Sequence, residues 1–540
     1  MRPLWYRNAV IYQIDPSLFL DINGDGCGDL RGVTDRLDYV RGLGATAVWL
    51  MPFYQSPFKD AGYDVSDHLQ VDPRFGDLAD VVYLLEKAEE LGLHVMIELV
   101  VQHTSTEHRW FQEARRDRQS PYRDYYLWAD EPDDSIEPIF PTIEDSVWTW
   151  DEEAGQYYRH LFYSHEPDLN LANPKVIKEI ERIIAFWLRL GVSGFRVDAA
   201  SHLIEQAGEG DGDGDGYWLL EHMRDFVTLR RPEAVLLGEV DVEPEQYRDY
   251  FGEGDRLTLL LNFWANNHFF LSLARSEAEP LHRALEHQPE PPERAQYAIW
   301  LRNHDELDLE RLTEDEREEV MQAFAPDPDM RAYNRGIRRR LAPMLDGDER
   351  RLAMAHALMF ALPGTPIIRY GEEIGMGEDL SRPERLAVRT PMQWSNEPNA
   401  GFSCADAKQL AAPVIDDGEF AYSQINVYAQ TLRDDSLMAK TGNMIRTRIG
   451  LREIGGGQHR PVETGCPSVF AIRHDNESTV LMLVNLADKD VEVEIAEQDL
   501  QDMVDVLADS DYEQPEGHPL RIQLRGYGYR WLRRKQQLFG

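Results

Sequence analysis

The sequence predicts an α/β fold: a closed (β/α)₈ (TIM) barrel over residues 1–103 and 166–455, an inserted domain at 104–165 after the third strand, and an antiparallel β domain at 456–540. Three observations carry this expectation. Short apolar, β-branched runs alternate with amphipathic stretches along most of the chain. Each run is nearly continuous in apolar residues, as a strand must be when both of its faces are covered. The rhythm breaks twice, first for an aromatic- and acid-rich segment too long for a loop, then for closely spaced alternating strands near the end.

In chain order the strand candidates are AVIYQID, ATAVWLMP, HVMIELVVQH, SGFRVDAA, AVLLGEV, RLTLLLNF, YAIWLRNHDE and GTPIIRYGEE. The stretches before them read as amphipathic helices: LRGVTDRLDYVRGLG, LADVVYLLEKAEELG, VIKEIERIIAFWLRLG, YWLLEHMRDFVTLRRP and RLAMAHALMFALPG. The inserted segment carries YRDYYLWADEPDD and SVWTWDEEAGQYYRHLFYSH. The C-terminal strands are expected at SVFAIRH, STVLMLVNL, VEVEIA and RIQLRGYGYRWL. GEGDGDGDG, near 208–216, reads as a flexible acidic loop.

The chain has 540 residues, 42% of them hydrophobic, and a formal net charge of -41. That charge argues against nucleic acid and against an anionic membrane surface as partners. Two readings of it stay open, a carboxylate-rich surface kept hydrated at high internal salt, or an acidic enzyme of ordinary cytosol. No apolar run is long enough to span a bilayer, and the start MRPLWYRNAV lacks the pattern of a signal peptide. Three scattered cysteines, Cys27, Cys404 and Cys466, favour a reducing, cytoplasmic setting.

In such a barrel the chemistry lies at the carboxyl ends of the strands. The third run ends at His103, the fourth at Arg196 and Asp198, the fifth at Glu239, and the seventh at His304 and Asp305. One acid there could cap the following helix. Three acids converging from apolar strands suit glycosidic bond cleavage, in which one carboxylate attacks the anomeric carbon and another protonates the leaving oxygen. Arg196 would favour the ionised form of the attacking group, while burial would help the acid keep its proton.

GFRVDAASH, LLGEV and RNHDE, in this order, resemble conserved regions of the α-amylase family of glycoside hydrolases. The resemblance covers nearly the whole chain. Residue by residue it implies Asp198 as nucleophile, Glu239 as general acid/base and Asp305 as a transition-state-stabilising carboxylate. His103, His304 and Arg196 would hold the first sugar. Asp60 and Tyr63, in KDAGYDVSDH, match the cap and the stacking aromatic of that subsite, and Arg389, in VRTPMQW, matches the arginine that pairs with the capping Asp. The implied substrates are small α-glucosides such as maltose or trehalose.

VWTWDEEAGQYY, EPDLNLANP, NRGIRRRLAPML and RTPMQWSNEPNAGFS resemble the trehalose-synthase branch of the family, which isomerises maltose without releasing glucose. The expected activity is therefore retaining cleavage through a covalent glucosyl-enzyme with intramolecular transfer. The alternatives are hydrolysis, as in an α-glucosidase, and a non-catalytic binding relative. DINGDGCGDL is not a helix-loop-helix calcium site, since its twelfth position is Gly32 and a strand precedes it. By the resemblance it implies a structural Ca²⁺ with Asp21, Asn23, Asp25, Asp29 and the Cys27 carbonyl as ligands.

Several positions depart from the family pattern. Glu98 and Gln102 are each one methylene longer than usual, which is expected to disturb the packing around the site. Glu166 replaces a glutamine and Arg369 a tyrosine. Residues 384–387 read ERLA where the branch has Asp-Arg-Asp-Gly, keeping Arg385 beside the acceptor, and Trp264, Asn266 and Asn267 stand where apolar residues are usual.

Overall fold

The computed structural model describes residues 4–133, 135–140, 142–208, 215–497 and 500–535. Eight parallel strands close into a barrel: β1 (Ile11–Ile14), β2 (Ala47–Leu50), β3 (His94–Leu99), β4 (Gly194–Val197), β5 (Val235–Gly238), β6 (Leu259–Leu261), β7 (Gln296–Trp300) and β8 (Thr365–Arg369). Each strand pairs with its sequence neighbour among these eight, and β8 closes on β1. All eight runs expected from the sequence are strands. Most of the acidic low-complexity loop lies outside the described residues.

Alternation along the strands sets what the site can contain. Ile11, Ala47, Trp49, Met96, Val235, Leu237, Leu259, Leu261, Ala298, Trp300 and Ile367 form one apolar cluster inside the barrel. Their neighbours Tyr12, Val48, Ile97, Phe195, Leu236, Leu260, Ile299 and Ile368 join the larger cluster that packs against the helices. Because side chains alternate with period two, Gln13, Glu98, Arg196 and Arg369 share the inward parity. Register places Glu98 beside Arg196 and Gln13 beside Arg369. The inward stack is thus apolar below and polar at its top layer, where the strands end.

The helices begin and stop on local chemistry. Helix Pro174–Leu190 starts at an Asn173 cap with proline in its first turn, buries Ile180, Ile183, Ile184 and Trp187, and ends at Gly191. Helix Leu78–Leu91 opens on an Asp77–Asp80 capping box and closes at left-handed Gly92.

Within the inserted segment, Gln156–Arg159 pairs on one side with Trp128–Ala129 and on the other with Trp148–Asp151, both antiparallel. At the C-terminal end a five-stranded antiparallel sheet runs Gln458–Pro461, Val469–Asp475, Thr479–Asn485, Tyr529–Arg534, Met503–Ala508, beside the pair Val491–Ile495 and Leu520–Leu524. The run RIQLRGYGYRWL is two strands rather than one. Tyr527 turns the chain with a positive φ of 58°, and a Cβ on Gly526 would meet the Asp488 backbone at 2.7 Å. Among the described residues no helix is long and apolar enough to cross a membrane.

Candidate active site

The centre of the site is one guanidinium. Arg196, 1% exposed at the end of β4, contacts Glu98 Oε2 at 3.0 Å, Asp198 Oδ1, and Glu239 Oε1 at 2.7 Å. Glu98 also accepts from Trp49 Nε1 at 2.9 Å and from the Tyr63 hydroxyl at 3.1 Å. The longer acid at this position therefore does not disturb the packing; its extra methylene carries the carboxylate to three donors. Just past Asp198 the backbone enters the left-handed region at Ala199, φ 48°, and the Ala199 N–H donates to Glu239 Oε2 at 3.1 Å. Strain at this position is held by the same groups that hold the two acids.

A second constellation stands at the end of β7. The Gln13 amide lies 2.9 Å from His304 Nδ1, which assigns the ring proton to Nε2, 2.9 Å from Asp305 Oδ2. The Tyr63 hydroxyl reaches the same Nε2 at 2.8 Å, and its ring lies parallel to His304 at 5.7 Å between centroids. Asp305 Oδ1 accepts from Arg389 Nη2 at 2.7 Å and from Arg385 Nη1 at 3.1 Å. His103 donates from Nδ1 to Gln102 Oε1 at 2.7 Å, and the Gln102 amide donates to Asp168 at 2.8 Å. Here too the longer side chain is a bridge rather than a disturbance.

The capping Asp pairs differently from expectation. Asp60 takes both its bonds from Arg385 Nη2, at 3.0 and 2.9 Å, whereas Arg389 lies under Asp305 and donates from Nε to the His304 carbonyl. The reason is local: Glu384 has a φ of 47° and opens a 3₁₀ turn, Glu384–Val388, that directs Arg385 into the cleft. Arg385 also lies over the Phe140 ring at 5.1 Å. Phe140 packs on Tyr163 at 4.8 Å and Tyr333 at 4.9 Å, and both tyrosine hydroxyls donate to Glu384 Oε2, at 2.9 and 2.7 Å. These aromatics form a roof that the sequence reading missed. Its one sequence signal is the acid kept at 384, and its partners come from remote segments.

Between floor and roof lies a cleft of about 610 Å³ lined by Asp60, Tyr63, His103, Arg196, Asp198, Glu239, Asp305 and Arg385 among others. His304 and Arg389 stand behind the wall. Asn266 and Asn267 do not face the cleft; they donate to the carbonyls of Trp300 and Asp308, and Trp264 Nε1 donates to Ala284 O.

Burial raises the carboxyls of Glu98, Asp198 and Glu239; Arg196 opposes the rise and neighbouring carboxylates add to it. Glu98 is pushed up to about 8. Asp305 is equally buried, yet His304, Arg385 and Arg389 outweigh that burial and hold it well below the usual range. Burial lowers His103 and His304 to about 4, so both are neutral at pH 7. The arrangement holds Asp305 ionised beside two arginines and raises the Glu239 carboxyl, the direction a proton donor needs, while the Arg196 guanidinium beside Asp198 favours its ionised form.

For the cation loop, the geometry is mixed. Asp21 accepts from the Gly24 and Gly26 N–H groups and from Ser403 Oγ. Asn23 and Asp25 accept from Asp25 N and Cys27 N. Asp29 caps the helix Leu30–Asp35 through Gly32 N–H and binds Ile22 N–H with its other oxygen. Among the described residues the only three acids with oxygens all within 4.8 Å are Asp241, Asp308 and Glu310, and Arg311 and Arg335 already pair with Asp241 and Asp308.

The catalytic-domain profile of α-amylase matches residues 13–326 and 336–454, and that of the sucrose hydrolase-like C-terminal domain matches 478–533. A trehalose synthase of Thermus thermophilus is 42% identical over 499 residues, 90% of this chain; the chain spans about half, 51%, of that relative. A trehalose synthase/amylase of Mycobacterium tuberculosis is 38% identical, with 98% of this chain and 90% of the relative covered. The crystal structure of an α-amylase from H. orenii superposes with a TM-score of 0.80 at 26% identity, covering 98% of this chain and 99% of that one.

Proposed function

From the premise that this chain belongs to the α-amylase family of glycoside hydrolases, we propose that it is a retaining α-glucoside-active enzyme that interconverts maltose and trehalose by intramolecular glucosyl transfer. The observation that carries the reading is the single Arg196 guanidinium holding Asp198 and Glu239 together at the head of the cleft. A retaining mechanism wants the two carboxyls about 5 Å apart. Asp198 attacks the anomeric carbon while Glu239 gives its proton to the glycosidic oxygen, leaving a glucosyl ester on Asp198 and free glucose. The glucose turns, Glu239 takes the proton from its anomeric hydroxyl, and that oxygen displaces Asp198. Asp305, ionised and held by His304 and Arg389, stabilises the positive charge that develops on the sugar. Asp60 with Arg385 closes the far end, and the roof of Phe140, Tyr163 and Tyr333 shields the ester from water.

Net hydrolysis is the second reading. Glu205, Asp241, Glu306 and Glu310 line the open side of the cleft, and carboxylates retain ordered water beside an intermediate. Product analysis with maltose decides: trehalose appearing ahead of glucose supports transfer, whereas glucose alone makes this an α-glucosidase.

The reading extends to a structural Ca²⁺. An all-oxygen set with turn glycines suits this ion; Asp21, Asn23, Asp25 and the Cys27 carbonyl would hold it, with Asp29 occupied mainly as the helix cap. It would brace a loop that already bonds through Asp21 N to Phe402 O and through Gly26 O to Ala411 N. Three unpaired cysteines fit a cytoplasmic setting.

A further inference from the structure

Three consecutive carbonyls of the turn that carries Asp305 are each bound by a different buried arginine. Arg369 Nη1 donates to Asn303 O at 2.9 Å, Arg389 Nε to His304 O at 2.9 Å, and Arg302 Nη2 to Asp305 O at 2.7 Å. All three are 1% exposed. Their other arms are anchored: Arg369 Nη2 on Val388 O at 2.8 Å, Arg302 Nε on Arg339 O at 2.7 Å, and Arg389 Nη2 on the Asp305 carboxylate at 2.7 Å. Arg369 leaves the inner face of β8, Arg302 follows β7, and Arg389 comes from the loop beyond 384.

Burying a guanidinium against carbonyls is costly, because a carbonyl does not neutralise the charge. Burial lowers Arg302 and Arg369 to about 10, so both remain cations at pH 7. If the turn only needed its carbonyls satisfied, neutral donors would do so at less cost. Guanidiniums add two things. The Arg302 and Arg369 forks link the turn to a second segment, and the Arg389 fork ties the His304 carbonyl to the Asp305 carboxylate, together fixing the peptide planes from which the His304 ring and the Asp305 carboxylate project. Arg302 and Arg389 also place positive charge near Asp305, whose carboxylate they favour in its ionised form.

We propose that Arg302 and Arg369, together with Arg389, clamp the 303–305 turn and aim Asp305 into the cleft, which makes Arg302 and Arg369 positioning residues for catalysis. The clamp accounts for the arginine at 369, where the family pattern has tyrosine. The proposal rests on the reading of Asp305 as the stabilising carboxylate.

The test is steady-state kinetics on an aryl α-glucoside with Arg369→Gln, Arg369→Lys and Arg302→Lys. Active sites are counted by a mechanism-based fluoroglucoside label, and melting temperature is followed in parallel. A misplaced catalytic group costs on the order of 10²-fold. The expected result for Arg369→Gln is therefore a fall of about 10²-fold in kcat per labelled site, larger than any change in KM. Arg369→Lys should recover only part of it, because an ammonium cannot bridge Asn303 and Val388. A merely structural role would lower the melting temperature and the number of labelled sites but leave kcat per site unchanged. Wild-type kcat per site in folded Arg369→Gln and Arg302→Lys overturns the clamp. Asp305→Asn separates the two claims: if it retains full turnover, the reading of Asp305 itself is wrong, and if it is inactive while both arginine variants turn over normally, only the clamp falls.

Discussion

The floor and the roof of the cleft are built on different plans. The floor hangs from strand ends: Glu98, Arg196, Asp198 and Glu239 each stand on or one residue beyond an apolar strand locked in register with its neighbour. The roof has no such frame. Phe140 comes from the loop between Trp128–Ala129 and Trp148–Asp151, Tyr163 from the segment after Gln156–Arg159, and Tyr333 sits on a tight turn with φ 53°, followed by Asn334 at 60°. Glu384 and Arg385 belong to a 3₁₀ turn. One set is positioned by backbone ladders and the other by side-chain contacts, so the floor should govern whether the bond breaks and the roof what receives the sugar.

The sharpest way to break that contrast is on the floor. Glu239→Gln should lower kcat on maltose by about 10²–10⁴-fold, and Asp198→Asn should cost at least as much, with no glucosyl-enzyme trapped. Retained turnover in either variant would end the assignment. On the roof, Glu384→Ala or Tyr333→Phe removes charge-assisted hydrogen bonds, each of about 1.5–3 kcal/mol. The glucose-to-trehalose ratio should rise about tenfold, while cleavage of an aryl glucoside changes little. An equal loss in both assays would show that roof and floor are one unit.

A smaller effect probes the floor by pH. Glu98 titrates near 8 in the folded chain and near about 4.3 when unfolded. A carboxyl raised in this way stabilises the fold fully below its unfolded pKa and loses that contribution as pH rises toward its folded pKa. Glu98→Gln has no such loss. The melting temperature of the variant relative to wild type should therefore climb between about pH 5 and about pH 8; a pH-independent difference would show that Glu98 is ionised throughout. Smallest of all, chelation should lower the melting temperature by about 2 °C, an effect absent in Asp21→Ala.

Legibility follows the same divide. All eight barrel strands, and the convergence of Asp198, Glu239 and Asp305 on one cleft, can be read from the sequence because a buried strand writes its apolar run locally and the residues after it fall at one end of the barrel. The roof cannot, since the Tyr163–Glu384–Tyr333 contacts span up to 221 residues. The exchange of Arg385 for Arg389 as partner of Asp60 has a local origin instead: the two lie in one short motif, and the positive φ at Glu384 carries Arg385 to Asp60 while Arg389 stays on Asp305. The effect of Glu98 and Gln102 is not legible in the sequence either, because it depends on the partners that the longer side chain reaches in the fold.

Arg385 pairs with Asp60 and Asp305 at once. On the proposed reading it is a competitor inside the cleft, and a glucoside that bonds either carboxylate displaces one of its contacts. Its apparent affinity is the intrinsic affinity scaled by the fraction of molecules in which the arginine has let go. Poor ground-state affinity would then be a built-in property of this site, leaving more of the available contact energy for the moment when charge develops on the sugar.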